Sequence, residues 1–529
     1  MATRQARVRF TLKRLNGFAR NLLRSKRGFL GVAILVLFIS VAVAAPLIAP
    51  HDPVADVFVS GWFAKPDWYD VLFPGEPQSR NMVVIEDPGF NDSRSFDFNV
   101  TTSSGLIGTN WVSSVGKEGL GCLAVVYRRS DLSLRGGFHT INITKTFTYP
   151  YYRSLDRFVA TAKFFVDGSV YVGENSKVNL NVPVKVSVLL ERVVNETYSE
   201  RHDLMQLYTD IYFGRQLIPN PVTAPTNEWV PGILLDSYTL RGTIGGRRFD
   251  PAEVVFKVNA TQPSHTFRYS VEMTFNDTNY ALPKPSVETV VYVDDLGLSG
   301  LGSAYGLFGT DALGRDIYSQ LIYGSRISLF VGIGSAAIAV GLGLVLGMVA
   351  GYQGGLIDEI LMRFTDALLV IPHLPLLLVL VAVLGQSIWN IVFLLGVLGW
   401  MGFARVVRST ILSLKERPFV ESAKAVGAGS AHIMTTHILP NVMALVYVTL
   451  AMTVPGSIVA EAALSWLGFF DPNVMSWGRM LHDVQQGWNI EKWWWVVPPG
   501  LLISTVALSF IFLGYALDDI LNPKLRQRR

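Results

Sequence analysis

The sequence predicts an all-α polytopic membrane domain of six transmembrane helices, with a large β-sandwich insert between helices 1 and 2. Three observations support this fold class. Half of the 529 residues are hydrophobic and only 16% are charged, which is unusual for a soluble protein. Long uncharged runs recur along the chain, and the stretch 51–305 instead alternates apolar and polar side chains. The net charge of +4 points to no particular partner and gives no reason to expect nucleic acid.

The first apolar run, Gly28–Pro50, is uncharged and long enough to cross a hydrocarbon core of about 30 Å at about 1.5 Å per residue. Nine Lys and Arg residues and no acid precede it within residues 1–27. A basic cluster can bind nucleic acid, but directly before a span it is typical of a cytoplasmic anchor. Because the run exceeds the core of a signal peptide, about 7–15 residues, we expect an uncleaved span with a cytoplasmic N-terminus.

The remaining predicted spans lie in four uncharged runs. These runs are Ile327–Ile357, Ala367–Ala404, Asn441–Ala460 and Trp493–Leu517. The second run is too long for one crossing and holds a plausible turn at 385–387, so we divide it into two spans. Six spans return the C-terminus to the cytoplasm, in agreement with the basic tail of the chain.

This count divides the chain into a basic cytoplasmic N-terminus, a first span, an extracytoplasmic β-rich domain at 51–305 and a five-span core at 306–529. Within the β-rich domain, apolar residues alternate with polar ones over 178–188 and again over 267–275. A period of two predicts strands with one buried face. Several such runs separated by Gly, Pro and Asn indicate an antiparallel β-sandwich.

Six N-x-[ST] sequons lie in the β-rich domain and none lies elsewhere in the sequence. They begin at Asn91, Asn99, Asn142, Asn195, Asn259 and Asn276. A single sequon is a weak signal that often arises by chance in a domain rich in Asn and Thr. Six on the predicted outer side favour glycosylation.

A small, mildly polar stretch, ESAKAVGAGSAHIMTTHILPN at 421–441, lies between two predicted spans on the cytoplasmic side. We predict a short helix that starts near Glu421, a turn at Gly427 where a Cβ would be obstructive, and a second helix from Ala431. Pro440 either ends that helix or opens the next span. Small side chains permit close approach of another protein, and Glu421 offers a carboxylate to an arginine. The pattern predicts a docking element.

This stretch resembles the EAA loop of ABC-importer permeases, here within about 409–440. The matching residues are Glu421, Ser422, Ala423, Gly427, His437, Ile438, Leu439 and Pro440. Four further segments are similar to the dipeptide/oligopeptide/nickel branch and its C-type subunits. They are GTDALGRDIYSQLIYGSRISL (309–329), GYQGGLIDEILMRFTDALLVIP (351–372), EAALSWLGF with SWGRML (461–481) and WWWVVPPGLLI (493–503). Ser422 departs from the usual Ala. The resemblance covers about 1–55 and 305–529 and leaves the β-rich domain unexplained.

The resemblance implies the type I ABC importer fold and a set of partners. These are a second permease subunit in a heterodimer, two ATP-binding subunits, an extracytoplasmic substrate-binding protein and membrane lipid. By the same resemblance, Glu421 pairs with an ATPase arginine and Gly427 sets the bend, while Ala423, Ile438 and Leu439 pack into the ATPase groove or the permease core. The chain is then no enzyme and binds no cofactor, since ATP and Mg belong to the partners. The sequence also lacks a GxxxxGK[ST] loop.

Three other groups of polar residues admit two interpretations each. His437 is a candidate ligand or switch, but packing within the loop is favoured because no ligand pattern surrounds it. Glu461, near the end of a span, either lines a translocation path or caps the span. The acidic and basic residues of 311–316 either contact the binding protein or form salt bridges.

Two other function classes compete with the permease. One is a membrane-anchored exterior receptor or glycan-binding protein, which needs no cytoplasmic loop that docks onto an ATPase. The other is an ion channel or secondary transporter, for which inverted repeats or a charged path at mid-bilayer are expected. The stretch 421–440 favours the permease over both. The resemblance implies small peptides as cargo, with oligosaccharides as the alternative.

Overall fold

The computed structural model describes residues 20–91, 97–113, 121–134, 136–167, 169–171, 177–179, 182, 184–195, 198–208, 222–223, 235–237, 242–244, 247–258, 265–278, 287–486 and 489–521. The chain forms two compact units. The described residues up to Val57 combine with those from Phe308 onward into a helical unit, and Phe58–Leu307 form a β-rich unit. The predicted insert, 51–305, corresponds closely to the second unit.

The helical unit is built from helices that we number in chain order. They are α1 (Lys26–Ile48), α2 (Ile317–Gln353), α3 (Gly355–Val370), α4 (His373–Leu384), α5 (Ile388–Val397), α6 (Met401–Leu414), α7 (Pro418–Ala425), α8 (Leu439–Trp466), α9 (Trp477–Gln486) and α10 (Trp493–Leu521). A three-residue helix, Ser430–His432, and a π-helix, Ile433–Ile438, join α7 to α8.

Five helical stretches within the described residues are long and apolar enough to cross a membrane. They contain α1, α2, α5 together with α6, α8, and α10. The pair α3 and α4 passes the same test only as a unit bent by 89°. Six spans are therefore reached only if this bent pair is one span, and the six-span count stays a prediction.

The bend between α3 and α4 has a local cause at Pro372. Proline lacks an amide hydrogen and disfavours helical backbone in the residue before it, and Ile371 is extended, with φ −72° and ψ 129°. The division of the run 367–404 into two spans implies one straight helix in its first half. The structure instead ends α3 at Val370 and begins α4 at His373. The predicted turn at 385–387 is confirmed, since α4 ends before Gly385, whose φ is +94°.

A row of glycines lets α2 pack closely against α6. A Cβ added to Gly347 would lie 2.5 Å from the carbonyl oxygen of Ala404, and one on Gly343 would lie 2.9 Å from that of Trp400. Both contacts are with backbone atoms, which cannot rotate away. Small residues at four-residue spacing serve this purpose in membrane helices.

The β-rich unit contains sixteen described strands. They are β1 (Met82–Val83), β2 (Asn99–Thr102), β3 (Ile107–Val112), β4 (Cys122–Arg129), β5 (Phe138–Tyr149), β6 (Arg157–Asp167), β7 (Ser169–Tyr171), β8 (Lys177–Asn179), β9 (Val184–Val193), β10 (Ser199–Tyr208), β11 (Val222–Thr223), β12 (Leu235–Asp236), β13 (Gly242–Ile244), β14 (Arg247–Phe249), β15 (His265–Asn276) and β16 (Val287–Leu301). Short helical turns occur at Tyr69–Leu72, Leu132–Leu134 and Pro251–Val255.

These strands form two six-stranded sheets and two small hairpins. The first sheet has the order β12-β6-β16-β4-β3, with β1 also paired to β16, and the second has the order β11-β10-β9-β15-β5-β2. Both sheets contribute to one hydrophobic core, for example Tyr127 and Val291 from the first sheet and Val186 and Val271 from the second. The described pairs are antiparallel except β10 with β11, so the predicted β-sandwich is confirmed.

Of the two alternating runs, one forms a single strand and the other does not. The run 267–275 lies in β15 and buries Phe267, Tyr269 and Val271 against the core, as its period predicts. The run 178–188 is divided between β8 and β9 rather than forming one strand.

Candidate functional site

The stretch singled out in the sequence begins with the helix α7. Pro418 occupies its first turn, where a missing amide hydrogen costs nothing because no partner would be available there. After α7, Gly427 takes a φ of +86°, a left-handed conformation in which a Cβ is strained. The predicted helix and turn are thus present, and α7 starts three residues before Glu421.

The second half of the stretch runs into the next long helix without a break. The amide of Leu439 donates to the carbonyl of Met434, five residues earlier, which is the bond of a π-helix. Pro440 follows within the first turn of α8 and supplies no amide hydrogen. Of the two alternatives for Pro440, the structure shows the opening of the next helix.

One side of this coupling segment, residues 418–440, is fixed to the helical unit. Val420, Ile433 and Ile438 are buried in a cluster with residues of α2, α6 and α8, and Ala423 packs against the same cluster. Of the two packing partners that the resemblance implied for Ile438, the structure shows the permease core. Leu439 is half-buried. These contacts with α2, α6 and α8 fix the position of the segment's backbone.

The other side of the coupling segment faces away from the unit. Glu421, Ser422, Lys424 and Gly427 are exposed, and the Val426 side chain is 89% exposed. Within the described part of the chain, no cation forms an ion pair with the Glu421 carboxylate. The segment thus presents one carboxylate without an ion-pair partner among the described residues, and it also presents an exposed apolar side chain. This combination suits a protein partner carrying an arginine.

His437 lies inside this segment and is half-buried. Its backbone carbonyl accepts a hydrogen bond from Asn441 Nδ2 at 2.7 Å, and its ring centroid lies 5.8 Å from that of His432. These contacts fit packing within the loop. Among the described residues, no group of three or more His, Cys, Asp or Glu side chains could hold a metal ion.

Two ion pairs brace the helices next to the coupling segment. Arg408 Nη2 of α6 lies 2.5 Å from Asp358 Oδ2 of α3, and Arg405 pairs with Asp366 on the same two helices. Neither pair is predicted by the sequence. Their partners lie far apart along the chain, and no local spacing connects them.

Glu461 is 2% exposed in α8. Its Oε1 accepts hydrogen bonds from Ser465 Oγ at 2.8 Å and from Ser476 Oγ at 2.7 Å, while no described residue bonds to Oε2. The carboxylate therefore connects α8 to the start of α9. This buried, hydrogen-bonded geometry favours the capping interpretation over a carboxylate that lines a translocation path.

The charged residues of 311–316 form a buried network. Arg315 Nε lies 2.7 Å from Asp311 Oδ2, and Arg315 Nη2 lies 2.8 Å from Asp483 Oδ2 of α9. Asp316 caps α2 by accepting from the amide of Ser319 at 2.9 Å. Because Asp311, Arg315 and Asp316 are each at most 4% exposed, the structure favours the salt-bridge interpretation.

The sequons differ in accessibility. Asn91, Asn99 and Asn195 are exposed, whereas Asn142 and Asn276 are half-buried within strands. Asn259 lies outside the described residues.

Two family profiles match this chain. Residues 343–527 match the binding-protein-dependent transport system inner membrane component, and residues 15–66 match the N-terminal TM domain of oligopeptide transport permease C. The first profile includes the whole coupling segment.

Curated relatives agree with these profiles. The dipeptide transport system permease protein DppC of Bacillus subtilis (strain 168) is 40% identical over 221 residues, which cover 42% of this chain and 69% of that protein. The oligopeptide transport system permease protein OppC of Haemophilus influenzae (strain ATCC 51907 / DSM 11121 / KW20 / Rd) is 41% identical over 223 residues, covering 42% and 71%. A chain of the MetNI methionine ABC transporter, in an inward-facing conformation, aligns with a TM-score of 0.30 and 17% identity over 40% of this chain and 96% of that one, too low a score to support an argument.

The coupling segment, the apolar helices and these relatives converge on one assignment. The chain is a multi-pass membrane protein with a β-rich insert, and it belongs to the ABC-importer permeases of the dipeptide and oligopeptide family.

Proposed function

We propose that this chain is the C-type permease subunit of an importer that carries short peptides into the cell. It pairs with a second, different permease subunit, and two ATP-binding subunits dock beneath the pair and hydrolyse ATP with Mg. An extracytoplasmic protein delivers the substrate. The observation that carries this proposal is the exposed, uncompensated Glu421 on a segment whose opposite face is fixed in the permease core.

Support for peptide as the cargo comes from the relatives, which are named dipeptide and oligopeptide permeases. The shorter of the two family profiles is likewise named for oligopeptide transport, whereas the longer one names no substrate. Oligosaccharide is the alternative cargo. Specificity rests with the delivering protein, so the permease path itself needs no strong preference.

In this proposal the coupling segment transmits the closing motion of the ATP-binding subunits to the spans. Glu421 pairs with an arginine of the ATP-binding subunit, and Ser422 and Ala423 allow the close approach. Gly427 sets the angle between α7 and the following helices. Because Ile438 and Pro440 connect the segment rigidly to α8, a displacement of α7 moves α8 as well.

Glu461 enters this proposal as a candidate of the translocation path. Its two serine bonds hold it between α8 and α9 in the present conformation. A rearrangement of α8 that separates these helices would uncover the carboxylate, and its Oε2, which no described residue bonds, would then face the path.

The proposal requires both termini in the cytoplasm and the β-rich unit outside. We suggest a test with two single substitutions at exposed positions, Ser133→Cys in the β-rich unit and Ser430→Cys in the coupling segment. A membrane-impermeant maleimide added to intact cells is expected to label Cys at 133 and to reach Cys at 430 only after permeabilisation. The reverse pattern would overturn the orientation.

Transport is tested with the complete complex reconstituted in liposomes. Radiolabelled di-, tetra- and hexapeptides and a set of oligosaccharides are offered with and without ATP. ATP-dependent accumulation of peptide supports the proposal, and accumulation of sugar alone replaces the cargo while keeping the permease role. Accumulation that is independent of ATP would contradict coupling to ATP-binding subunits.

A further inference from the structure

A polar cleft crosses the outer face of the second sheet of the β-rich unit. Its volume is about 390 Å³, at the small end of the roughly 300–1,000 Å³ found for ligand pockets. The side chains that line it come from β2, β5, β9, β10 and β15, and Leu189 is the one hydrophobic residue among them.

The strand register explains why polar side chains meet here. Arg268 of β15 lies opposite Thr146 of β5 on one side and opposite Glu191 of β9 on the other. Four residues further along β15, Glu272 lies opposite Asn142. Since alternate residues of a strand share a face, these side chains all point away from the sandwich core.

The charged side chains of the cleft balance one another. Arg201 Nη1 lies 3.3 Å from Glu272 Oε2, and Arg268 Nη1 lies 3.6 Å from Glu191 Oε2. Arg201 Nε also lies 3.4 Å from Asp203 Oδ1. The two arginine side chains remain 43% and 45% exposed, so the N–H groups outside these contacts can still donate to a ligand. The carboxylates beside the two arginines leave no net positive charge to attract an anionic ligand.

Neutral hydrogen-bonding groups complete the cleft. The register of β2 with β5 places Asn99 opposite Thr144 and Thr101 opposite Asn142, so two amides and two hydroxyls form a continuous polar patch. The cleft thus offers donors and acceptors side by side over most of its surface.

We propose that this cleft binds a short neutral oligosaccharide. Carboxylates, amides and guanidinium groups together match the many hydroxyls of a sugar, each of which both donates and accepts. A peptide would need apolar subsites for its side chains, and Leu189 is only 1% exposed. An anionic glycan would find no net attraction, because Glu272 and Glu191 offset the charges of Arg201 and Arg268. Because no aromatic ring is among the described lining residues, we expect a weak affinity, with a Kd on the order of 0.1–1 mM.

Two of the sequons, at Asn99 and Asn142, have their side chains in this cleft. A glycan attached to either asparagine would fill the space that the ligand needs. Binding and modification at these two positions are therefore mutually exclusive, and the binding test requires protein made in a bacterial host without N-glycosylation.

The test titrates the full-length chain in nanodiscs with maltotetraose, cellotetraose, xylotetraose and mannotriose, and with trigalacturonate and tetra-alanine as anionic and peptide comparisons. We expect at least one neutral oligosaccharide to bind. Glu272→Gln and Thr144→Val should each weaken that binding by roughly tenfold, the effect of about 1.4 kcal/mol. The matched control is Glu288→Gln, whose carboxylate pairs with Arg128 at 2.9 Å on the other sheet.

Several outcomes overturn the proposal. They are failure of all four neutral oligosaccharides to bind, equal or tighter binding of trigalacturonate or tetra-alanine, and binding that both cleft variants leave unchanged. Equal losses in the cleft variants and in Glu288→Gln also overturn it. Thr144→Val keeps the shape of the side chain, so its melting temperature should match that of the original chain.

The origin of the oligosaccharide is resolved by the same ligand in liposomes that contain the complete complex and ATP. A cargo would accumulate inside, whereas a glycan of the cell surface would bind and stay outside. The titration needs no partner subunits. Its failure is therefore separate from a failure of peptide transport, and either result can occur without the other.

Discussion

The coupling segment and the polar cleft are both exposed surfaces, yet they are built in opposite ways. The coupling segment is one continuous stretch, 418–440, with a buried face and a single exposed carboxylate that no described cation balances. The cleft is assembled from five strands between Asn99 and Glu272, and its charges are paired. A carboxylate without a partner can form one strong ion pair with a bound protein, so much of the binding free energy depends on that single residue. In the cleft the charges are already paired, so the binding free energy of a ligand is divided among many weak contacts. We therefore expect single substitutions to act sharply in the segment and gradually in the cleft.

The largest effect on folding stability is expected where α2 packs against α6. Gly347→Ala places a Cβ 2.5 Å from the Ala404 carbonyl oxygen, so the helices must separate, at about 1–3 kcal/mol for overpacking. Thermal unfolding in detergent should show a clearly lower Tm. Gly341→Ala is the matched control, because a Cβ there has no atom within 4 Å. Similar Tm values for the two variants would show that α2 and α6 do not depend on this contact.

The largest effect on transport is expected from Glu421→Ala, which should leave folding unchanged. Removing one partner of a charge pair at an interface costs about 2–5 kcal/mol, so ATP-driven uptake by the reconstituted complex should fall at least about tenfold at unchanged Tm.

The control for this change is Glu359→Ala, which removes an equally exposed carboxylate from α3. Glu359 pairs with Arg363 one helical turn away, a pair worth only about 0.3–0.5 kcal/mol. Uptake should stay within about twofold of the original chain. If both variants lose uptake equally, the effect is one of general surface charge and not of the coupling segment.

Sequon occupancy provides a smaller effect, within the β-rich unit. In a host that glycosylates its exterior, Asn91 and Asn195 are expected to be modified because they are exposed in irregular backbone. Asn142, half-buried in the middle of β5, should stay unmodified. Mass spectrometry of glycopeptides checks this, with Asn91→Gln as a site control. A glycan at Asn142 would contradict both this expectation and an open cleft.

The smallest effect is expected at the single cysteine. Cys122 is fully buried in β4, and burial raises the pKa of its thiol to about 11. Since the thiolate is the reactive form, a maleimide at pH 7.5 should label it at less than roughly a tenth of the rate of an exposed cysteine. Labelling should become complete in denaturant. Rapid labelling of the folded chain would show that the sandwich core is open there.

The coupling segment could be predicted from the sequence to a greater extent than the cleft. Pro418 to Pro440 are neighbours along the chain, so glycine, proline and small residues predicted the helix and the turn that the structure contains, while the docking role stays a prediction. The sandwich followed from a period of two in β15. The cleft did not, because it depends on which strands lie side by side and in what register. Arg201 and Glu272, for example, carry no local signal of their contact.

The helical unit shows the same limit. Apolar length located α1, α2, α8 and α10, but the bend at Pro372 altered the third predicted span. The ion pairs Arg408–Asp358 and Arg315–Asp483 join segments far apart along the chain. Glu461 was recognised as unusual from its place in a span, while its serine partners became visible only with the packing of α8 on α9.

The central claim is that the coupling segment docks onto an ATP-binding subunit. The most direct measurement is site-specific cross-linking in membranes that contain the complete complex, from Val426→Cys in the segment and from Val71→Cys in the β-rich unit, where the original side chains are 89% and 81% exposed. We expect an adduct with the ATP-binding subunit from position 426 and none from position 71. An adduct from position 71, or its absence from position 426 in a complex that transports, would contradict it.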